Sequence, residues 1–158
     1  MKKESIHLLR YHKWANLKLL DHLMELPAEA FKKKLNGTFS SIAETFHHIF
    51  TIDQQWFKRF NLKASTKNIE YKGIEETKEY FIELHENMIA FIENYYDSLQ
   101  EVEYKNSKGD SFKNSIDELI RHITNHGTYH RGNISTMIRQ LGFEGTATDY
   151  IYFLRMNR

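Results

Sequence analysis

The sequence predicts an all-α protein built as a four-helix bundle, and three observations lead there. Apolar residues recur at three- and four-residue intervals over four long stretches. One proline and seven glycines in 158 residues leave few breaks. At about 1.5 Å per residue, stretches of roughly 20–26 residues run about 30–40 Å, the length of a bundle helix that buries one stripe. With 41% hydrophobic residues the chain can bury a sizeable core, and residues 1–158 are read as a single domain.

The first helix carries Ile6, Leu9, Arg10, Lys13, Leu17, Leu20 and Met24 on one face, with Trp14 on its flank, and Pro27 marks its stop. The second opens at "SSIAE", where Ser41 can cap and Glu44 stands three residues on, the capping-box spacing. Its stripe is Ile42, Phe46, Ile49, Asp53, Trp56 and Phe60. The third spans about Ile74 to Leu99 after Gly73, with Ile74, Phe81, Leu84, Met88, Phe91, Ile92 and Tyr95 apolar. The segment "EVEYKNSKGDSFKN" alternates weakly around Lys108-Gly109-Asp110, consistent with a small hairpin between helices three and four. The fourth helix opens at "SIDE", with capping-box spacing from Ser115 to Glu118, and ends at Leu141-Gly142. Its stripe is Ile116, Leu119, Ile120, Ile123, Gly127, Ile134, Met137, Ile138 and Leu141. Gly127, on that face, lets a neighbouring helix approach closely. A short C-terminal helix, "TDYIYFLR", completes the chain.

Composition excludes several classes. The formal charge is +1 with both signs interspersed, which leaves no footprint for nucleic acid or an anionic membrane. The N-terminal "MKKESIHLLR" lacks the apolar core of a signal peptide, and the charge-free run Leu35 to Ala43 is too short and polar to span a bilayer. The expectation is a cytoplasmic protein. With no cysteine there are no disulfides, thiolate metal sites or protein thiol nucleophiles. Any transition-metal site must be built from the nine histidines, with or without carboxylates. No P-loop, dinucleotide fingerprint, G-x-S-x-G or H-E-x-x-H is present.

The segment "HITNHGTYHRGNI" places His122, His126 and His130 at four-residue intervals. His126 and His130 fall within the apolar face of the fourth helix, and His122 drifts to its edge. Imidazoles at i and i+4 present to one point, the spacing by which a helix gives a metal two ligands. A third ligand must come from another helix. The second helix offers His47 and His48, on opposite flanks of its stripe, and periodicity does not choose between them.

Four segments resemble the DinB family, the damage-inducible four-helix-bundle family: "YHKWANLKLLDHLMELP", "SSIAETFHHIFTIDQQW", "HITNHGTYHRGNISTMIRQLG" and "DYIYFLR". Asn133 stands where that family usually has glutamine. The resemblance implies a divalent ion held by three histidines, one eight residues before a tryptophan and two from the His-x-x-x-His preceding Arg-Gly. On this chain those are His48, His126 and His130, with His122 a neighbour. Three neutral imidazoles leave an ion its charge and an open coordination position, the pattern of catalytic rather than structural sites. The family further implies a metal-dependent hydrolase or thiol transferase acting on a small molecule, such as a low-molecular-weight thiol, and a homodimer. Zinc and nickel are the leading metals. The alternative is a non-catalytic metal-binding or stress-response protein acting through a partner.

Among other residues, Asp53 lies on the apolar stripe five residues past His48, placed to orient a histidine or act as a base, or to pair with a buried cation. Asn133, one turn after His130, is a second candidate for ligand contact. Arg131 reads as a salt bridge at the end of the bundle, and Trp14 and Trp56 as core or groove lining. Phe39, Phe57, Phe60, Tyr150, Tyr152 and Phe153 together suggest more aromatic surface than one bundle hides, which favours the dimer.

Overall fold

A computed structural model describes residues 1–67, 73–99 and 101–156. The chain forms helices α1 (Lys2–Met24), α2 (Ile42–Phe60), α3 (Ile74–Tyr95), α4 (Ile116–Gln140) and α5 (Tyr150–Met156). A hairpin of β1 (Glu101–Lys105) and β2 (Ser111–Ser115) stands between α3 and α4. Among the described residues the fold is all-α with this one small sheet.

Local chemistry sets the helix ends. Ser41 caps α2, its Oγ accepting the Glu44 N–H at 3.2 Å. The Glu44 carboxylate turns outward to Lys34 and Ser40, and these partners hold its pKa down at about 2. At α4 the reciprocal box is complete: Ser115 Oγ accepts from Glu118 N–H, and the Glu118 carboxylate accepts from Ser115 N–H at 2.8 Å. In the hairpin, β1 and β2 pair antiparallel from Glu101 opposite Ser115 to Lys105 opposite Ser111. Its turn needs Gly109, whose φ of +89° lies in the left-handed region, and Asn106 Oδ1 accepts the Lys108 and Asp110 amides.

Helix α1 packs against α3 and α4, and α2 against α4 and, less extensively, α3. Thus α1 and α2, consecutive in sequence, face each other across the bundle. The core joins Leu9, Leu19 and Leu20 of α1, Phe46 and Ile49 of α2, Phe81, Met88 and Ile92 of α3, and Ile120, Ile123, Ile134 and Ile138 of α4. The hairpin rests on α2, where Tyr104 meets the edge of Trp56. Helix α5 folds back on α1, burying Phe153 against Tyr11 and Ala15. Among the described residues no helix is long and apolar enough to cross a membrane.

Three expectations are corrected. The stripe on α1 is rotated: the buried face runs Ser5, Leu9, His12, Asn16, Leu19 and Leu23 at alternating three- and four-residue steps. Arg10 and Lys13 instead form outward ion pairs with Glu93 and Glu86, and Met24 is 45% exposed. The cause is a polar layer at the bundle centre that buries His12 and Asn16 where an apolar stripe would place leucines. Helix α3 ends at Tyr95 rather than Leu99, the chain tightening into a 3₁₀ turn over Tyr96–Ser98. Of the aromatic residues expected as surplus surface, Phe57, Phe60 and Phe153 are buried and Phe39 is half-buried, which leaves Tyr150 and Tyr152 of α5 exposed.

Candidate metal centre

Among the described residues, two clusters of ligand-capable side chains lie in the bundle, each with three atoms within 4.8 Å of one another: His48, His126 and His130, and His12, Asp53 and His85. They differ in what protons can do for them.

The first cluster sits at the seam of α2 and α4. Helix α4 presents His126 and His130 on successive turns, and α2 brings His48 against them. Nε2 of His126 lies 3.1 Å from Nε2 of His48 and 3.0 Å from Nε2 of His130. A ring nitrogen has one in-plane site, filled by either a proton or a lone pair, so it cannot serve two such contacts as hydrogen bonds. A cation accepting three lone pairs satisfies all of them. Burial, reinforced by the neighbouring imidazoles, lowers His126 and His130 to about 4, and burial lowers His48 in the same direction. All three are therefore neutral near pH 7, the state that ligates. The donor set suits a borderline divalent ion.

Phe39, from the loop before α2, covers one side of the trio, with its ring centroid 4.9 Å from that of His48 and 5.4 Å from that of His130. Tyr129 meets His130 edge-on, and the amide of Asn133 lies 3.5 Å from His130 Nδ1, at the far limit of a hydrogen bond. His48 and His126 are half-buried and His130 is 6% exposed, so the cluster opens to solvent along the seam. The exposed His47 lies outside the trio. His122 stands a turn away, its ring 6.1 Å from that of His126 and edge-on to Trp56 at 5.0 Å.

The second cluster is fully buried, and each long helix contributes to it. Asp53 of α2 accepts from Nε2 of His12 (α1, 2.8 Å) and from Nε2 of His85 (α3, 2.9 Å) through the same oxygen, Oδ2. Arg131 of α4 places Nη1 at 3.2 Å from both His12 Nδ1 and Asn16 Oδ1. A guanidinium only donates, so His12 Nδ1 must accept and its proton resides on Nε2, aimed at Asp53. An ion on His12 Nε2 would require that proton on Nδ1, facing the guanidinium. Protons alone complete the contacts of His12 with Asp53 and Arg131, while Asp53 Oδ1, His85 Nδ1 and Arg131 Nε are buried with no hydrogen-bond partner among the described residues. Burial lowers His12 to about 4 despite the nearby carboxylate, so the ring is neutral. Burial opposes ionisation of Asp53, yet His12 and His85 hold its pKa well below the usual carboxylate range. One carboxylate and one guanidinium thus compensate each other at the bundle centre.

The expectations for the site divide along these clusters. The structure brings His48, His126 and His130 together. Asp53, considered as a group that orients a histidine, acts as a base or pairs with a buried cation, forms hydrogen bonds to His12 and His85 rather than to the trio and has no exposed surface from which to meet a substrate. Arg131 is not at a bundle end but in the core, reaching Thr128, His12, Asn16 and Tyr11. Gly127 is where the close approach falls: a Cβ there would lie 2.1 Å from His12 Cε1. Sequence reasoning missed His12, Asn16 and His85. A signal existed in the steps of Ser5, Leu9, His12, Asn16, Leu19 and Leu23, which keep one face of α1 through two polar residues.

A bundle that sets a histidine of its second helix against a His-x-x-x-His of its fourth defines a class of helical proteins whose site is built at an inter-helix seam. This chain belongs to the DinB family, whose model matches residues 1–158. Among its relatives, Protein DinB of Bacillus subtilis (strain 168) is 32% identical over 164 residues, covering 98% of this chain and 95% of that protein.

Proposed function

We propose that His48, His126 and His130 hold a divalent metal ion, zinc or nickel in the first instance, and that the protein is a metal-dependent enzyme acting on a small molecule. The observation that carries this reading is the convergence of three Nε2 atoms at one point with contacts that no arrangement of protons satisfies. An ion held there supplies Lewis-acid chemistry, stabilising negative charge that develops on a group brought to its solvent side. The chain's own groups do the rest. Phe39 and Tyr129 shape the rim, and Asn133 Nδ2 lies 3.5 Å from His130 Nδ1; with the amide turned so that Oδ1 faces the ring, Asn133 accepts from Nδ1–H and aims His130 once Nε2 gives up its lone pair. Among the described residues no fourth carboxylate or imidazole joins the trio. That supports an open coordination position and, with it, hydrolysis or thiol S-transfer rather than a purely structural ion.

The test is metal analysis of protein purified without a histidine tag or nickel column, followed by cobalt substitution. His48→Ala and His126→Ala should lose the ion and His47→Ala should retain it. A simple alkanethiol should change the cobalt spectrum of the wild type and not that of His130→Ala. Metal content unaffected by His126→Ala would refute the site. A cobalt spectrum of a closed tetrahedral site, unresponsive to thiols and anions, would refute the enzyme.

A further inference from the structure

Arg59 stands eleven positions after His48 on α2, and at 100° per residue it returns to within about 20° of His48, roughly 16 Å further along the axis. Its surroundings are unusual for a surface arginine. The guanidinium carbon lies 4.1 Å from the ring centroid of Trp56 and 5.1 Å from that of Tyr104 on β1. Arg59 is half-buried beside these two rings, which meet each other edge-on, and no carboxylate among the described residues lies within ion-pair distance. Beside it is a hollow of about 430 Å³ whose lining includes Gln55, Lys58, Lys105, Tyr104 and Glu103, so three cations face one carboxylate. Trp56 in turn touches His122, which neighbours His126, so one continuous wall runs from the histidine trio to Arg59.

A guanidinium packed against two rings has already lost much of its rotamer freedom, and its N–H edge remains available for a planar or tetrahedral oxyanion. Its charge, drawn partly from water and without an ionic partner among the described residues, gains most from an anion that arrives from outside. The hairpin has a place in this: Tyr104 supplies the second ring, so β1 fixes the arginine as well as covering α2.

We propose that Arg59 is an oxyanion subsite, taking a carboxylate or phosphate, that holds the anionic end of an extended small molecule whose other end reaches the histidine trio. The second half of this proposal rests on the metal-site reading given above; the first half does not.

The experiment separates the two. In metal-free protein, inorganic phosphate and malonate are titrated separately at constant ionic strength while the Arg59 Nε–Hε resonance and the Trp56 indole are followed by NMR. Saturable shifts with either anion support the subsite, and the anion that binds more tightly names the oxyanion. Arg59→Gln should abolish the saturable Trp56 shift. Arg59→Lys, which keeps the charge but loses the fork, should weaken binding by about fivefold or more. No saturable shift with either anion, or an undiminished Trp56 response in both variants, overturns the subsite. In cobalt-loaded protein, 11-mercaptoundecanoate, long enough to span the two positions, should bind about tenfold more weakly to Arg59→Gln than to wild type. Butanethiol should bind both alike. Equal loss for both thiols, or no loss for the long one, overturns the bridging role. Failure of both thiols to perturb wild-type cobalt, with phosphate still bound at Arg59, counts against the metal-site reading and leaves the subsite standing.

Discussion

Substitution of Gly127 by alanine tests the central polar layer, because local and tertiary effects predict opposite signs. Alanine is favoured over glycine in a helix interior by about 1 kcal/mol, so propensity alone predicts stabilisation. In the folded chain, however, an added Cβ would lie 2.1 Å from His12 Cε1, 2.6 Å from His12 Nδ1 and 2.8 Å from Arg131 Nη1. The His12 ring must move, and overpacking of this kind costs about 1–3 kcal/mol. Movement also breaks the 2.8 Å bond to Asp53, a hydrogen bond to a buried charge that contributes about 1.5–3 kcal/mol. Set against the propensity gain, the net expectation is a destabilisation of roughly 2–5 kcal/mol, a large part of a typical domain's stability. Urea denaturation of the metal-free protein, followed by far-UV circular dichroism, measures it. Gly132→Ala is the control. It lies on the same helix with open space at its Cβ, and it should stabilise by up to about 1 kcal/mol. If Gly127→Ala matches Gly132→Ala within about half a kcal/mol, the close packing of His12 on α4 is not an energetic feature and the reasoning fails.

Acid should destabilise the metal-free protein before its carboxylates titrate. His12 is lowered from an ordinary 6.5 to about 4, so between those values the unfolded chain binds more protons, and stability falls as pH drops. The His12 share is about 3 kcal/mol between pH 6.5 and 4; equal urea midpoints at pH 6.5 and 4.5 would contradict it. Asn133→Ala should weaken metal binding by about tenfold, the low end for loss of a ligand-orienting contact, as measured by competition with a chelator. An unchanged affinity would place Asn133 outside the site's support. We also expect a two-fold dimer formed through the exposed Tyr150, Ile151, Tyr152 and Met156 of α5. A monomeric mass in sedimentation at micromolar concentration would count against it.

The sequence alone determined what is local. Apolar periodicity located α2, α3 and α4, and Ser41 and Ser115 with their glutamates marked two helix starts, because caps and stripes depend on residues within one or two turns. The pairing of His126 with His130 was legible for the same reason, since i and i+4 share a face whatever surrounds the helix. The choice of His48 over His47 was open to periodicity and followed from a resemblance; in the structure it is packing of α2 against α4 that turns His48 inward. The face of α1 was misread because a hydrophobic stripe was sought where the chain buries His12 and Asn16. Those residues are tolerated there only because Asp53, Arg131 and His85, from three other helices, supply their partners. A polar side chain's burial depends on who neutralises and hydrogen-bonds it, and that identity is fixed by which helices become neighbours. Spacing along one helix holds no record of it, so only the tertiary structure could show a carboxylate, a guanidinium and two imidazoles meeting at the centre of this bundle.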